Sequence, residues 1–306
     1  MSNKKILCMG SINIDLTMSM RKLPKAGETV KTDNFTTFPG GKGGNHAATV
    51  SLLGGSVSFF TKLGDDVFSR QLIEGQKKYG TNIDSIEIIP GQTAGIAMIR
   101  VDADGQNSIS FTPGANALMS SEDIEKHEEL FANNDIFLSS MEIAPDTVYS
   151  AIKMAKKHHM TVIIDPAPAP AEGIPDEILS MIDYIKPNET EAEILTGIRV
   201  ASKTDAAKAA LIIRRKGVCN PIITLGSNGL LYLENEHPCY MQAIKVNTVD
   251  STAAGDVFIG SFTEALSEGK NFQECILFAR AASALSTTKT GAQTSIPLKS
   301  EVFKLL

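Results

Sequence analysis

Thr161-Val162-Ile163-Ile164 stands between two helical patterns, Thr147 to His158 before it and Glu189 to Thr196 after it, with a further short run, Tyr184-Ile185, in the gap. The short runs are β-branched or aromatic, whereas the flanking segments carry apolar residues at three- and four-residue spacing. Outward from this stretch the alternation continues through Val57 to Thr61, Phe68 to Tyr79, Ile136 to Ser139, Asp205 to Lys216 and Ile222 to Leu225. Strand and helix in turn require crossover connections. The reading is therefore an α/β fold, a three-layer α/β/α sandwich with a mostly parallel central sheet and helices on both faces.

Two stretches, about 12–38 and 95–112, break that rhythm: both look strand-like with no helix between, and Asp102-Ala103-Asp104-Gly105 is a hairpin turn signal. They read as an ordinary surface hairpin or as a small antiparallel β sheet on the edge of the main sheet. Such a sheet leaves a face open, suited to a lid over a substrate or to a homodimer contact. No repeat and no Pro/Ser-rich linker divides the chain, so residues 1–306 read as one domain with the lid strands inserted.

Composition narrows the function. The 306 residues are 42% hydrophobic and 21% charged, the balance of a soluble globular protein. A net charge of -6 argues against a nucleic-acid binder, which needs a basic surplus to displace counterions. Cys8, Cys219, Cys239 and Cys275 form no C-x-x-C, so zinc and redox pairs are not suggested and a reducing, cytoplasmic setting is expected. Lys4-Lys5 precede an apolar run too short for a signal peptide, and no stretch approaches the ~20 apolar residues of a membrane span.

Five segments can carry chemistry. In Val249-Asp250-Ser251-Thr252-Ala253-Ala254-Gly255-Asp256, small residues precede a helix running to about Ser267, so the N–H groups of Ala253, Ala254 and Gly255 can form an anion hole at its positive end. Asp256 reads either as an acid stabilising that terminus or as a general base for a hydroxyl attacking a phosphate held there. Pro39-Gly40-Gly41-Lys42-Gly43-Gly44-Asn45-His46 precedes a helical run Ala47 to Leu53. It is neither a Walker A nor a G-x-G-x-x-G; it offers close backbone approach, one ammonium and one amide, suited to sugar hydroxyls, or else a plain helix entry. Asn13 and Asp15 leave a strand on the same side and can accept from vicinal hydroxyls, with Glu142 as a further carboxylate. As strand-end residues they are equally ordinary.

In Pro187-Asn188-Glu189-Thr190-Glu191, Asn188 reads as an N-cap or, with Glu191, as hard oxygen ligands for Mg²⁺ and nucleotide phosphates. Thr224-Leu225-Gly226-Ser227-Asn228-Gly229 reads as a hairpin turn or as the wall of a nucleotide pocket.

In this order the segments resemble the ribokinase-like carbohydrate kinase family (PfkB). The resemblance runs nearly end to end, through Gly10-Ser11-Ile12-Asn13-Ile14-Asp15, Gly27-Glu28-Thr29-Val30, Gly40-Gly41-Lys42-Gly43, Pro187-Asn188-Glu189-Thr190-Glu191, Thr224-Leu225-Gly226-Ser227, Ala253-Ala254-Gly255-Asp256 and Gly291-Ala292-Gln293. It implies ATP-dependent phosphorylation of the primary hydroxyl of a pentose such as D-ribose, with ATP, Mg²⁺ and a monovalent cation, usually K⁺. It implies that Asn13, Asp15, Gly41, Lys42, Asn45 and Glu142 bind sugar, that Asp256 is the base, and that Ala253, Ala254 and Gly255 stabilise the transferred phosphoryl group. Asn188, Thr224, Leu225, Gly226, Ser227, Asn228, Gly229, Gly255 and Arg280 would contact ATP. Glu191 belongs to an N-x-x-E element linked to Mg²⁺ and phosphate. Asp250, Thr252, Ser286, Lys289, Gly291 and Ser295 would supply the monovalent-cation site, mostly through carbonyl oxygens.

Five positions depart from the family pattern: Ser251 after Asp250, Ile259 in the following helix, His46 in place of a Gln, and the bulky Phe111 and Pro113 on a lid strand. A bulkier wall changes which sugar fits while leaving phosphoryl transfer intact. The alternatives are another kinase of this family acting on deoxyribose, fructose or 2-keto-3-deoxygluconate, a non-catalytic sugar or nucleotide sensor, and a nicotinamide-dependent dehydrogenase, for which the fingerprint is missing.

Overall fold

A computed structural model describes residues 3–306. In chain order the strands of its first half are β1 (Ile6–Met9), β2 (Asn13–Ser19), β3 (Asn34–Gly40), β4 (Val57–Gly64), β5 (Ile86–Ile89), β6 (Gly95–Val101) and β7 (Asn107–Thr112). Those of the second half are β8 (Ile136–Ser140), β9 (Thr161–Asp165), β10 (Tyr184–Ile185), β11 (Asn220–Thr224), β12 (Leu230–Glu234) and β13 (His237–Met241). The helices are α1 (Lys42–Leu52), α2 (Val67–Tyr79), α3 (Ser121–Lys126), α4 (Glu128–Ala132), α5 (Pro145–Lys157) and α6 (Asp176–Leu179). They continue with α7 (Glu189–Thr196), α8 (Lys203–Arg215), α9 (Ala254–Ser267), α10 (Phe272–Ser286) and α11 (Lys299–Leu305).

Nine strands form the main sheet in the order β13-β12-β11-β10-β9-β8-β1-β4-β5. All pairings from β5 to β11 are parallel, and the β11–β12–β13 edge is antiparallel. The apolar runs are continuous because both faces are covered. Along β1, Ile6 and Cys8 enter one core with α1, α9 and α10, while Leu7 and Met9 enter the other with α5. No helix among the described residues is long and apolar enough to cross a membrane.

The second sheet, β3-β2-β6-β7, holds the two stretches that broke the alternation. Its outer pairs are antiparallel, and β2 meets β6 in parallel. The Asp102 carboxylate closes the β6–β7 turn by accepting from the N–H groups of Asp104 and Gln106. This sheet does not extend an edge of the main sheet, as the sequence suggested. The edges are β5 and β13, whereas β2 departs from the carboxyl end of the inner strand β1 through Gly10 to Ile12. Its position sets it beside the carboxyl ends of the central strands, where open α/β sheets leave room for ligands.

A second correction concerns α1, which begins at Lys42 and not at Ala47. Gly43 and Gly44 belong to the first turn of that helix. A Cβ on Gly43 would lie 2.6 Å from the carbonyl carbon of Gly10, so the glycine is there to let the helix touch the exit of β1 and not to form a loop.

Candidate active site

Five parallel strands deliver residues to one carboxyl edge: β1 leads to Ser11, β8 to Glu142, β9 ends at Asp165, β10 is followed by Lys186, and β11 ends at Thr224. The N-termini of α1 and α9 arrive at the same edge. Asp256, in the first turn of α9 and 5% exposed, accepts from Asn45 Nδ2 at 2.7 Å and from Lys42 Nζ at 3.1 Å, both on α1. The Lys42 backbone N–H donates to Glu142 at 2.8 Å, and the Ser11 hydroxyl donates to the same carboxylate. Gly41 turns the chain into α1 with φ 82°, a backbone conformation glycine adopts without strain.

Asn13 and Asp15 lie on the same face of β2, as strand alternation requires. Register aligns Asp15 with Phe38 on β3, Ala97 on β6 and, through Ala97, Phe111 on β7, so Phe111 shares the face that carries Asp15. Burial, with the nearby Glu142 charge adding to it, pushes the Asp15 carboxyl up to about 6.

Behind Asp256 lies a buried charge cluster. Asp165 Oδ2 stands 3.0 Å from Lys186 Nζ, 3.7 Å from His46 Nε2 and 3.9 Å from Lys42 Nζ. Burial opposes ionisation of Asp165, but Lys186, Lys42 and His46 outweigh it and hold the carboxyl well below the usual range. Burial likewise opposes the charge on Lys42; Asp256, Asp165 and Glu142 together hold it above the ordinary lysine value.

At the start of α9, Ala253 is left-handed, with φ 59°, and no side chain caps the helix. The Ala254 N–H turns back onto Ser251 O at 3.2 Å. Among the described residues the N–H groups of Ala253 and Gly255 have no intramolecular acceptor, so two of the three donors read from the sequence are open to an anion. Lys186 Nζ donates to Gly255 O at 3.3 Å, and a Cβ on Gly255 would lie 3.0 Å from that ammonium.

The residues read as nucleotide contacts gather on the β10–β13 side. Asn188 caps α7 in a reciprocal capping box: its side chain accepts from the Glu191 N–H, and the Glu191 carboxylate accepts from Asn188 N and Nδ2. Burial and the charge of Asp165 raise the Glu191 carboxyl. The Thr224 N–H donates to Pro187 O at 2.9 Å, and Leu225 to Asn228 form the turn that Gly229 closes by accepting from the Leu225 N–H at 2.8 Å. Gly226, Ser227 and Asn228 make a single 3₁₀ turn, and Tyr240 OH donates to Asn228 O. Arg280 on α10 donates to Gln242 O at 3.2 Å, while its Nε is buried without a partner.

Asp250 organises the loop that faces Gly291. It accepts from Thr252 N at 2.9 Å, from Thr252 Oγ1 at 2.6 Å and from Gly291 N at 2.9 Å; although burial opposes its charge, these donors hold its carboxyl low. The carbonyl of Ser286 accepts from Lys289 N, the Lys289 side chain reaches toward Glu301, and the Ser295 hydroxyl donates to Ala292 O. Backbone carbonyls are hard neutral oxygens of the kind that suit a large monovalent cation, and those of Ser286 and Ala292 accept internal hydrogen bonds. The two Glu191 carboxylate oxygens, each accepting one hydrogen bond from Asn188, are hard donors of the kind Mg²⁺ takes.

Sequence reasoning missed Asp165, Lys186 and Asn116. Asn116 is buried and locks the start of β2, exchanging hydrogen bonds with the Ile12 backbone and donating to Asn13 Oδ1 at 2.9 Å. A usable signal existed for the other two: an acid closing one apolar run and a lysine directly after the next meet at the carboxyl edge if the two strands are parallel neighbours. The register pairs Ile185 with Ile164, which brings Lys186 level with Asp165.

Comparison with known proteins gives the same picture. The model of the pfkB family carbohydrate kinases matches residues 3–299. The ribokinase of Haemophilus influenzae is 38% identical over 303 residues, covering 99% of this chain and 98% of that protein. The crystal structure of ribokinase from Thermotoga maritima superposes with a TM-score of 0.88 at 39% identity, covering 99% of both chains. The structure of Arabidopsis thaliana ribokinase complexed with ribose and ATP superposes with a TM-score of 0.90 at 33% identity, covering 100% of this chain and 99% of that one.

Proposed function

Because the chain belongs to the pfkB family of carbohydrate kinases, we propose that it transfers the γ-phosphoryl group of ATP to the primary hydroxyl of D-ribose, giving D-ribose 5-phosphate. The observation that carries this reading is a carboxylate, Asp256, oriented by Asn45 and Lys42 in the first turn of a helix whose leading N–H groups are open. The relatives named as ribokinases, and the neighbour complexed with ribose and ATP, support the choice of sugar.

Asn13, Asp15, Gly41, Lys42, Asn45 and Glu142 hold the sugar by its hydroxyls in this reading. Asp256 removes the proton from the primary hydroxyl, whose oxygen attacks the γ-phosphorus in line with the departing ADP oxygen. The N–H groups of Ala253 and Gly255, with Ala254 beside them, receive the charge that develops on the transferred group. Asn188, Thr224 to Gly229 and Arg280 hold the nucleotide. Mg²⁺, held through Glu191, neutralises phosphate charge when bound. Asp250, Thr252, Ser286, Lys289, Gly291 and Ser295 would hold a monovalent cation, K⁺, whose charge would steady the loop leading into the anion hole.

The small sheet acts as the lid, and a second copy of the chain covers its exposed Ile109 and Phe111, making a homodimer in the cytoplasm. Phe111, in one row with Asp15, favours a second reading in which the lid selects a sugar smaller than ribose, 2-deoxyribose first. ADP formation measured with ribose, 2-deoxyribose, fructose and 2-keto-3-deoxygluconate tests both readings. The highest kcat/KM belongs to ribose; no preference for ribose removes that substrate, and sugar binding without ADP formation makes the protein a sensor.

A further inference from the structure

Lys42 places one ammonium between two buried carboxylates, 3.1 Å from Asp256 Oδ1 and 3.9 Å from Asp165 Oδ2. Asp165 is fully buried and Lys186, at 3.0 Å, already balances its charge, yet its second oxygen, Oδ1, has no hydrogen-bond partner in the structure. An acceptor left open in so dry a place costs stability unless something comes to occupy it.

Resting on the kinase reading above, we propose that Asp165 is a positioning residue for phosphoryl transfer: it shares the Lys42 ammonium with Asp256 and takes it over as Asp256 accepts the proton of the sugar hydroxyl. A paired ammonium stabilises the ionised form of a carboxylate and so weakens it as a base. Once Asp256 has become neutral, Lys42 would face burial beside a carboxyl that no longer balances it. Asp165 removes both difficulties by a short movement of one side chain. The hydroxyl proton passes to Asp256, the hydroxyl oxygen bonds to the γ-phosphorus as the bond to the ADP oxygen breaks, and Lys42 keeps its protons throughout.

The other charged groups around Asp165 leave this role to it. From α1 come Lys42 and His46, from α9 Asp256, from the strand end before α7 Lys186, from α7 Glu191, and Glu142 acts on Lys42 from beyond β8. His46 lies 3.7 Å and 3.8 Å from the two carboxylates with neither ring nitrogen hydrogen-bonded, so it does not occupy the open oxygen. Lys186 also donates to Gly255 O, which ties the pair to the anion hole.

The test measures the acid limb of kcat for D-ribose in the wild-type protein, Asp165→Asn and Lys186→Met. Independently of turnover, it follows the Asp256 carboxyl by ¹³C NMR titration, the resonance being identified by its loss in Asp256→Asn. Without the Asp165 charge, Lys42 belongs to Asp256 alone. The limb and the NMR midpoint then move to lower pH by about one unit, kcat falls about tenfold, and KM for ribose stays within about threefold. Without Lys186, Asp165 draws Lys42 harder and both midpoints move to higher pH. Midpoints that stay put, or that move the same way in both variants, overturn the proposal. If Asp165→Asn alone does not fold because Lys186 is stranded, Asp165→Asn/Lys186→Met removes both charges, and its midpoint must lie below that of Lys186→Met. A wild-type protein that phosphorylates no sugar overturns the kinase reading and with it the positioning role of Asp165; intact ribose phosphorylation with unmoved midpoints overturns only the role of Asp165.

Discussion

Asn45 Nδ2 donates to Asp256 Oδ2 at 2.7 Å, joining the first turns of two helices whose residues are 211 positions apart in the chain. The bond fixes the direction of the carboxylate, which leaves the other oxygen to Lys42. Removing the amide in Asn45→Ala leaves a buried carboxylate oxygen unpaired. Turnover is expected to fall by about ten- to a hundredfold and stability by about 1–3 kcal/mol, read by steady-state kinetics and urea unfolding. Unchanged turnover would show that Asp256 needs no such orientation.

Asp15 gives the site a pH signature. Its carboxyl sits near 6 through burial and the charge of Glu142, so in the free enzyme it is protonated below that value and loses an acceptor for sugar hydroxyls. The profile of kcat/KM for ribose is expected to fall below about pH 6, and Glu142→Gln, which removes the neighbouring charge, moves that limb to lower pH. A limb that Glu142→Gln leaves in place would detach it from Asp15.

The same raised value has a consequence for stability. A carboxyl that binds its proton more tightly when folded favours the fold below its unfolded value, and that contribution is lost as pH rises through about 6. Asp15→Asn is therefore expected to raise the Tm of the ligand-free protein at pH 7.5 by about 2–4 °C while it abolishes efficient use of ribose. A lower Tm in that variant would contradict the sign.

Two glycines separate close approach from simple flexibility. A Cβ on Gly43 would meet the Gly10 and Ser11 backbone at 2.6 to 2.8 Å, whereas a Cβ on Gly75, inside α2, meets nothing within 4 Å. Gly43→Ala is expected to lower Tm by several degrees through a cost of about 1–3 kcal/mol, and Gly75→Ala to raise stability by about 0.5–1 kcal/mol. Thermal unfolding followed by circular dichroism reads both.

These cases mark what could be read before folding. The strand–helix alternation was legible because β-branched runs and amphipathic periods differ, and the helix Glu189–Thr196 falls on the bounds its cap and closing Gly197 mark out. The glycines at 43 and 44 misled, because local sequence does not tell a loop from a helix pressed against a strand exit. Asp165 and Lys186 stayed hidden for a related reason: each looks like the polar end of a strand, and only the pairing of β9 with β10 puts them in contact. The anion hole was legible as a run of small residues, but the turn of the Ala254 N–H onto Ser251 depends on the left-handed Ala253.

The most direct test of the account is Asp256→Asn, assayed for ribose 5-phosphate formation and, separately, for ribose binding by calorimetry. The isosteric amide keeps a hydrogen-bonding shape and cannot take the proton. Turnover is predicted to fall by about a hundredfold or more with ribose affinity within about threefold, whereas near-wild-type turnover would contradict the assignment of Asp256 as the base.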